Sequence, residues 1–122
     1  MAYLAVVQGE DWTLSREDLA RAVRERWPDS EIELGAQGPD ADPARDVVWV
    51  QGSGPERFEG GAHANGQCLY VDGRNEAVAP VVAWYRSLVP ADEEVVFCDD
   101  TYSFDAVLEP GITADAVLAI LS

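Results

Sequence analysis

The 122-residue chain has no lysine, one histidine, one methionine and two cysteines. Each scarcity excludes something. Gly52-Ser53-Gly54 has neither the lysine of a phosphate-binding loop nor the later glycine of a dinucleotide fingerprint, so it reads as a turn. Cys68 and Cys98 form no CxxC pair, and the single histidine, His63, does not complete a zinc set. The apolar run at the N-terminus stops at Val7, too short for a signal peptide or a membrane span. These absences set the expectation of two reduced thiols, a cytoplasmic protein, no metal and no cofactor.

Positive charge is also scarce. Eight arginines stand against 23 acidic residues, for a formal charge of -15. The exclusive use of arginine reads as the codon bias of a high-GC bacterial genome. Four of the eight, Arg16, Arg21, Arg24 and Arg26, fall in one segment, so the rest of the surface is more uniformly negative than the total suggests. Such a field opposes binding to nucleic acid and anionic membranes, which depends on neutralising phosphates. It favours fast association with a basic protein.

What is present describes one α+β domain over residues 1–122. Tyr3 to Val7 suits a strand. In WTLSREDLARAVRERWPDS, Leu19, Ala20, Val23 and Trp27 recur at helical spacing behind a Ser15 cap, and Pro28 ends the helix. Glu31 to Leu34 alternates like a half-buried strand, and Val47 to Gln51 is β-branched and aromatic like a buried one. Glu56 to Ala64 and Gln67 to Val71 make a hairpin about Asn65-Gly66.

A second helix covers about Glu76 to Val89, starting near Ala79 or kinked at Pro80. Val95 to Cys98 is a buried strand, Tyr102 to Leu108 an edge strand, and Thr113 caps a last helix. The order helix, proline, acidic turn, strand occurs twice. It suggests two β-α-β halves in a two-layer sandwich, with a mainly antiparallel sheet and two helices on one face. The expected architecture is a ferredoxin-like variant with an extra hairpin and a short C-terminal helix.

Two places carry candidate chemistry. A two-residue Asn65-Gly66 turn sets Ala64 opposite Gln67 and His63 opposite Cys68. Glu59, His63, Cys68, Tyr70 and Asp72 then lie on one face, and Phe58, Ala62, Ala64, Leu69 and Val71 on the core face. A histidine beside a thiol can generate a nucleophile, with Glu59 as its orienting group. No oxyanion hole accompanies the pair, however, and the negative field favours thiol over thiolate.

The second place is CDDTYSFD. Asp99, Asp100 and Asp105, with Glu93 and Glu94 nearby in sequence, have the composition of a metal or acid-base site. They also suit a docking surface with Tyr102 and Phe104 as aromatic anchors. DADPARD, from Asp40 to Asp46, lacks the glycine and the terminal carboxylate of a calcium loop.

The sequence therefore favours a small non-enzymatic domain that binds a basic protein, in the manner of an immunity or inhibitor protein, through Glu94, Asp99, Asp100, Tyr102, Phe104 and Asp105. The alternatives are a small enzyme built on His63 and Cys68 or on the acidic site, and a homodimer formed along the edge strand.

Overall fold

The structure is a computed structural model and describes residues 2–35 and 46–121. Residues 40–45 of the DADPARD run lie outside the described residues. Strand β1, Ala2–Val7, leads into helix α1, Arg16–Arg26, whose cap is the expected one: Ser15 Oγ accepts from the Asp18 N–H at 3.2 Å. Glu17 and Asp18 sit at the positive helix end, with Arg24 and Arg26 at the negative end. Strands β2 (Glu31–Leu34), β3 (Val47–Gln51), β4 (Phe58–Ala62) and β5 (Cys68–Gly73) follow.

Helix α2, Asn75–Leu88, holds Pro80 inside it instead of starting near it. Proline has no N–H, so the one helical bond lost is the one the Glu76 carbonyl would accept. Glu76 is exposed in the first turn, where that loss is least costly. Strand β6, Val95–Asp99, is followed by β7, Asp105–Val107, shorter than the expected Tyr102 to Leu108 because residues 99–103 fold into a turn. Helix α3, Ala114–Leu121, begins with Thr113 Oγ1 accepting from the Ala116 N–H at 3.1 Å.

The fold is α+β, with a seven-stranded sheet in the order β2-β3-β4-β5-β1-β6-β7 and three helices among the described residues. Every adjacent pair is antiparallel. Following those directions across the sheet, α1 joins the parallel strands β1 and β2 over the three strands between them. In the same way α2 joins the parallel strands β5 and β6 over β1. One end of the sheet gathers the β3–β4 turn, the start of α2 and the β6–β7 loop. The other gathers the β4–β5 turn, the loop before α1 and the 89–94 segment.

The sheet buries one face. Val47, Trp49, Phe58, Ala62, Leu69, Val71, Tyr3, Ala5 and Phe97 pack there against Leu19 and Val23 of α1 and against Val78, Val81, Val82 and Tyr85 of α2. Trp27 anchors the centre, with ring centroids 6.3 Å from Trp49, 4.8 Å from Trp84 and 5.2 Å from Phe58. Gly60 leaves room for this cluster, since a Cβ there would come within 2.5 Å of the Trp49 ring. No helix of the described residues is long and apolar enough to cross a membrane.

Candidate functional site

The hairpin puts His63 and Cys68 in the expected relation. Glu59 aligns with Asp72, Gly61 with Tyr70 and Ala62 with Leu69. The same register brings the His63 N–H to the Cys68 carbonyl at 3.0 Å. The turn itself is displaced by one residue. Its closing bond runs from the Gly66 N–H to the His63 carbonyl at 2.8 Å, so Ala64 and Asn65 are the central residues. Gly66 follows at φ +76, and Asn65 Oδ1 accepts from the Gln67 N–H at 3.0 Å.

This turn does not project into solvent. The Leu14 N–H donates to the Asn65 carbonyl at 2.9 Å, and Gln67 Nε2 donates to the carbonyls of Gly9 and Trp12 at 3.1 and 2.7 Å. From below, the Tyr85 hydroxyl donates to the Gly66 carbonyl at 2.6 Å. Burial drives that phenol far above its ordinary pKa, and it stays a donor. The stretch is a latch between the loop before α1 and helix α2.

His63 and Cys68 edge a shallow hollow of about 160 Å3 with Val6 and Gln67. The His63 ring nitrogen Nδ1 accepts from the Asn65 N–H at 3.5 Å. Burial, with a further push from Cys98, raises the Cys68 pKa, so its neutral-pH form is the thiol. Glu59 stands four residues before His63 on the same face, about 13 Å away along the strand, out of reach of the imidazole. Cys98 aligns with Leu4 on the far side of β1, whereas Cys68 aligns with Val6. Two strand spacings place their Cα atoms about 10 Å apart or more, and both thiols are free.

The acidic segment divides into parts with different roles. Asp99 is 2% exposed, and its carboxylate accepts from the Ser103 N–H at 2.7 Å, from the Thr101 hydroxyl at 3.2 Å and from the Ser103 hydroxyl. These bonds, the Ser103 hydroxyl foremost, hold it below the ordinary carboxylate range. Asp99 is thus the staple of the loop rather than part of its surface. Phe104 also turns inward, with its ring centroid 5.5 Å from Phe97 and 6.3 Å from Tyr3.

Tyr102 behaves oppositely. It is 74% exposed and holds φ +57, the only positive φ on a non-glycine residue among the described residues. A bulky side chain there is a conformational outlier that its surroundings must enforce. The enforcement is visible: the Tyr102 N–H donates to the Asp99 carbonyl at 3.1 Å, and the Asp99 side chain grips the residues on either side. Asp100 and Asp105 are exposed beside it, as is Val107 on β7. Glu94 does not join this group. It precedes β6 at the other end of the sheet, about 20 Å from Asp100 along the strand.

Two further polar centres lie outside the candidates read from the sequence. Arg16 forks onto Asp46, with Nε donating to Oδ2 at 2.8 Å and the second nitrogen donating to Oδ1, and it also reaches the Gly35 carbonyl at 2.9 Å. That fork is the main reason the Asp46 pKa is lowered, with His63 adding to it. Arg86, 2% exposed, donates to the carbonyls of Leu108, Val89, Pro90 and Glu93 at 2.9, 3.0, 3.3 and 3.2 Å. The sequence did hold a hint: Val78, Val82 and Arg86 fall four apart on the buried stripe of α2.

Among the described residues no three His, Cys, Asp or Glu side chains are placed to share a metal ion. Comparison with protein-family models, with curated proteins and with solved structures finds no match to this chain.

Proposed function

We propose that this chain is a docking domain that captures a basic protein through the Tyr102 loop and the adjoining margin of β7. The observation that carries the reading is Tyr102 itself, an exposed aromatic fixed at φ +57 by the Asp99 staple. Strain of this kind persists where rigid presentation is useful, and a loop whose backbone is already ordered binds without a backbone ordering cost. Asp100 and Asp105 beside it, on a chain of net charge -15, select a basic partner and speed its approach. An inhibitor or immunity protein for a basic bacterial partner is the role this chemistry fits best.

The raised Cys68 pKa and the distance of Glu59 from His63 weigh against the thiol-enzyme alternative. Self-association along β7 sets two strongly negative copies edge to edge, and the charge opposes it. The two crossing β-α-β units, with β3 and β4 inserted between β2 and β5, support reading the scaffold as a ferredoxin-like variant.

The test compares proteins retained from the source cells by the native chain and by Tyr102→Ala, each at low and high salt. The retained protein is then purified and its affinity measured. The proposal expects one basic partner, held at low salt, released by salt and lost with Tyr102→Ala. Retention indifferent to both salt and Tyr102 contradicts it.

A further inference from the structure

Helices α1 and α2, with Val117 of α3, share the core on one face of the sheet. The other face has no helix of the described residues against it. An antiparallel sheet with one solvated face alternates apolar and polar residues, whereas strands apolar at successive positions are strands covered on both sides. Here the alternation fails. Strand β1 turns Leu4 and Val6 outward, β3 turns Val48 and Val50, and β6 turns Val96, all of them half-buried.

The strand registers set these outward residues in rows. One row crosses all seven strands, from Glu33 to Asp105 through Val48, Gly61, Tyr70, Leu4 and Cys98. An exposed carboxylate stands at each end, six strand spacings or about 29 Å apart, and no residue between them is charged. Beside it run Cys68, Val6, Val96 and Val107, the last 51% exposed. Glu31, also exposed, adds a second carboxylate at the β2 end. No arginine occupies an outward position of the seven strands.

An apolar centre with charge at its margin is the anatomy of a protein interface. The margin here is acidic, so the complementary occupant is cationic at its flanks, and a second copy would set carboxylate against carboxylate. The inner strands have spent their backbone N–H and C=O groups in the ladders on either side. An occupant of this face therefore satisfies its own backbone bonds, as a helix does.

We propose that the uncovered face docks an amphipathic cationic helix of another protein. Its apolar stripe lies over Val48, Leu4, Val6 and Val96, and its lysines or arginines meet Glu31 and Glu33 at one end and Asp105 at the other. About 19 residues of helix span that distance. The proposal does not depend on the Tyr102 reading, because Tyr102 lies outside these rows.

The test titrates the full chain with a leucine–lysine helical peptide of about 20 residues, leucine along one stripe. One control has the same composition in scrambled order, and the other replaces lysine by glutamate. NMR should show saturable shifts of the Leu4, Val6, Val48, Val50 and Val96 methyls and none of Val78 and Val81 in the core, with both controls at least tenfold weaker. Val48→Thr with Val50→Thr should weaken binding about tenfold while the melting temperature falls by less than about 8 °C. Tyr102→Ala should bind the peptide as the native chain does, which separates failure here from failure of the docking loop. Equal binding of the scrambled peptide or an unchanged affinity in the double valine variant overturns the proposal. So does a larger fall in melting temperature, which means that the chain itself covers the face. Shifts of the same methyls with protein concentration alone assign the face to a second copy and overturn it as well.

Discussion

Gly66 and Tyr102 both hold positive φ, for opposite reasons. Gly66 occupies a conformation that only glycine adopts freely, and a Cβ there would meet Leu14 Cβ at 2.6 Å and the Leu14 carbonyl oxygen at 2.8 Å. Gly66→Ala should cost about 3 kcal/mol from backbone strain and overpacking together, measured by urea unfolding. Tyr102 pays the same backbone penalty while its ring packs on nothing that depends on it, so Tyr102→Gly should leave stability equal or raise it by up to about 1 kcal/mol. A loss of stability there means the ring is a packing residue and not an anchor. Cys68 belongs at this scale too: because burial raises its pKa, iodoacetamide at neutral pH should label it more slowly than it labels glutathione. Faster labelling revives the Cys-His enzyme.

At the scale of elements, the joints are held by arginines bound to backbone or to one carboxylate. Arg86 ties the end of α2 to the 89–93 segment and to the residue after β7 through four carbonyls. Lysine keeps the charge but cannot span that fork, so Arg86→Lys should cost about 2–4 kcal/mol by chemical denaturation. A cost near zero shows that the four carbonyls find other donors. Asp46 and Asp99 both have lowered folded-state pKa values, so their stabilisation is complete above the ordinary carboxylate range. As the pH falls through that range and below, the unfolded chain takes up protons more readily, and that stabilisation is lost. Asp99→Asn should flatten the acid limb of the stability curve, and an unchanged limb indicates that the staple bonds are not what lowers its pKa.

Elements were the most legible level. Ser15, Thr113, the Trp27 stripe and the Glu59 to Asp72 register follow from local chemistry, and local chemistry is readable along the chain. The β4–β5 turn shifted by one residue because the contacts of Leu14 and Tyr85 act on it from outside the hairpin. Pro80 stayed inside α2 for a related reason: its cost falls on an exposed first-turn carbonyl. The division of CDDTYSFD into an inward staple, an inward phenylalanine and an outward tyrosine depends on which way a five-residue loop turns. Alternation along β6 does put Asp99 on the face of Val95 and Phe97, but it has nothing to say about Tyr102 and Phe104 beyond the strand's end. The fork between Arg16 and Asp46 joins residues 30 apart, beyond any periodic signal.

For the whole molecule, the proposed docking role rests on the distribution of charge and exposed aromatic surface. Helices α1 and α2 pack against the core residues of the sheet, and 23 acidic residues against eight arginines give a formal charge of -15. Mutual repulsion predicts a monomer by light scattering at low salt, and a dimer under those conditions points instead to pairing along β7. The claim on which the functional reading turns is that Tyr102 is strained for the sake of a partner. Its most direct test measures unfolding stability and partner capture side by side for the native chain and Tyr102→Gly. The account predicts a variant at least as stable as the native chain that no longer retains the basic partner. A variant that keeps its partner at native affinity contradicts it.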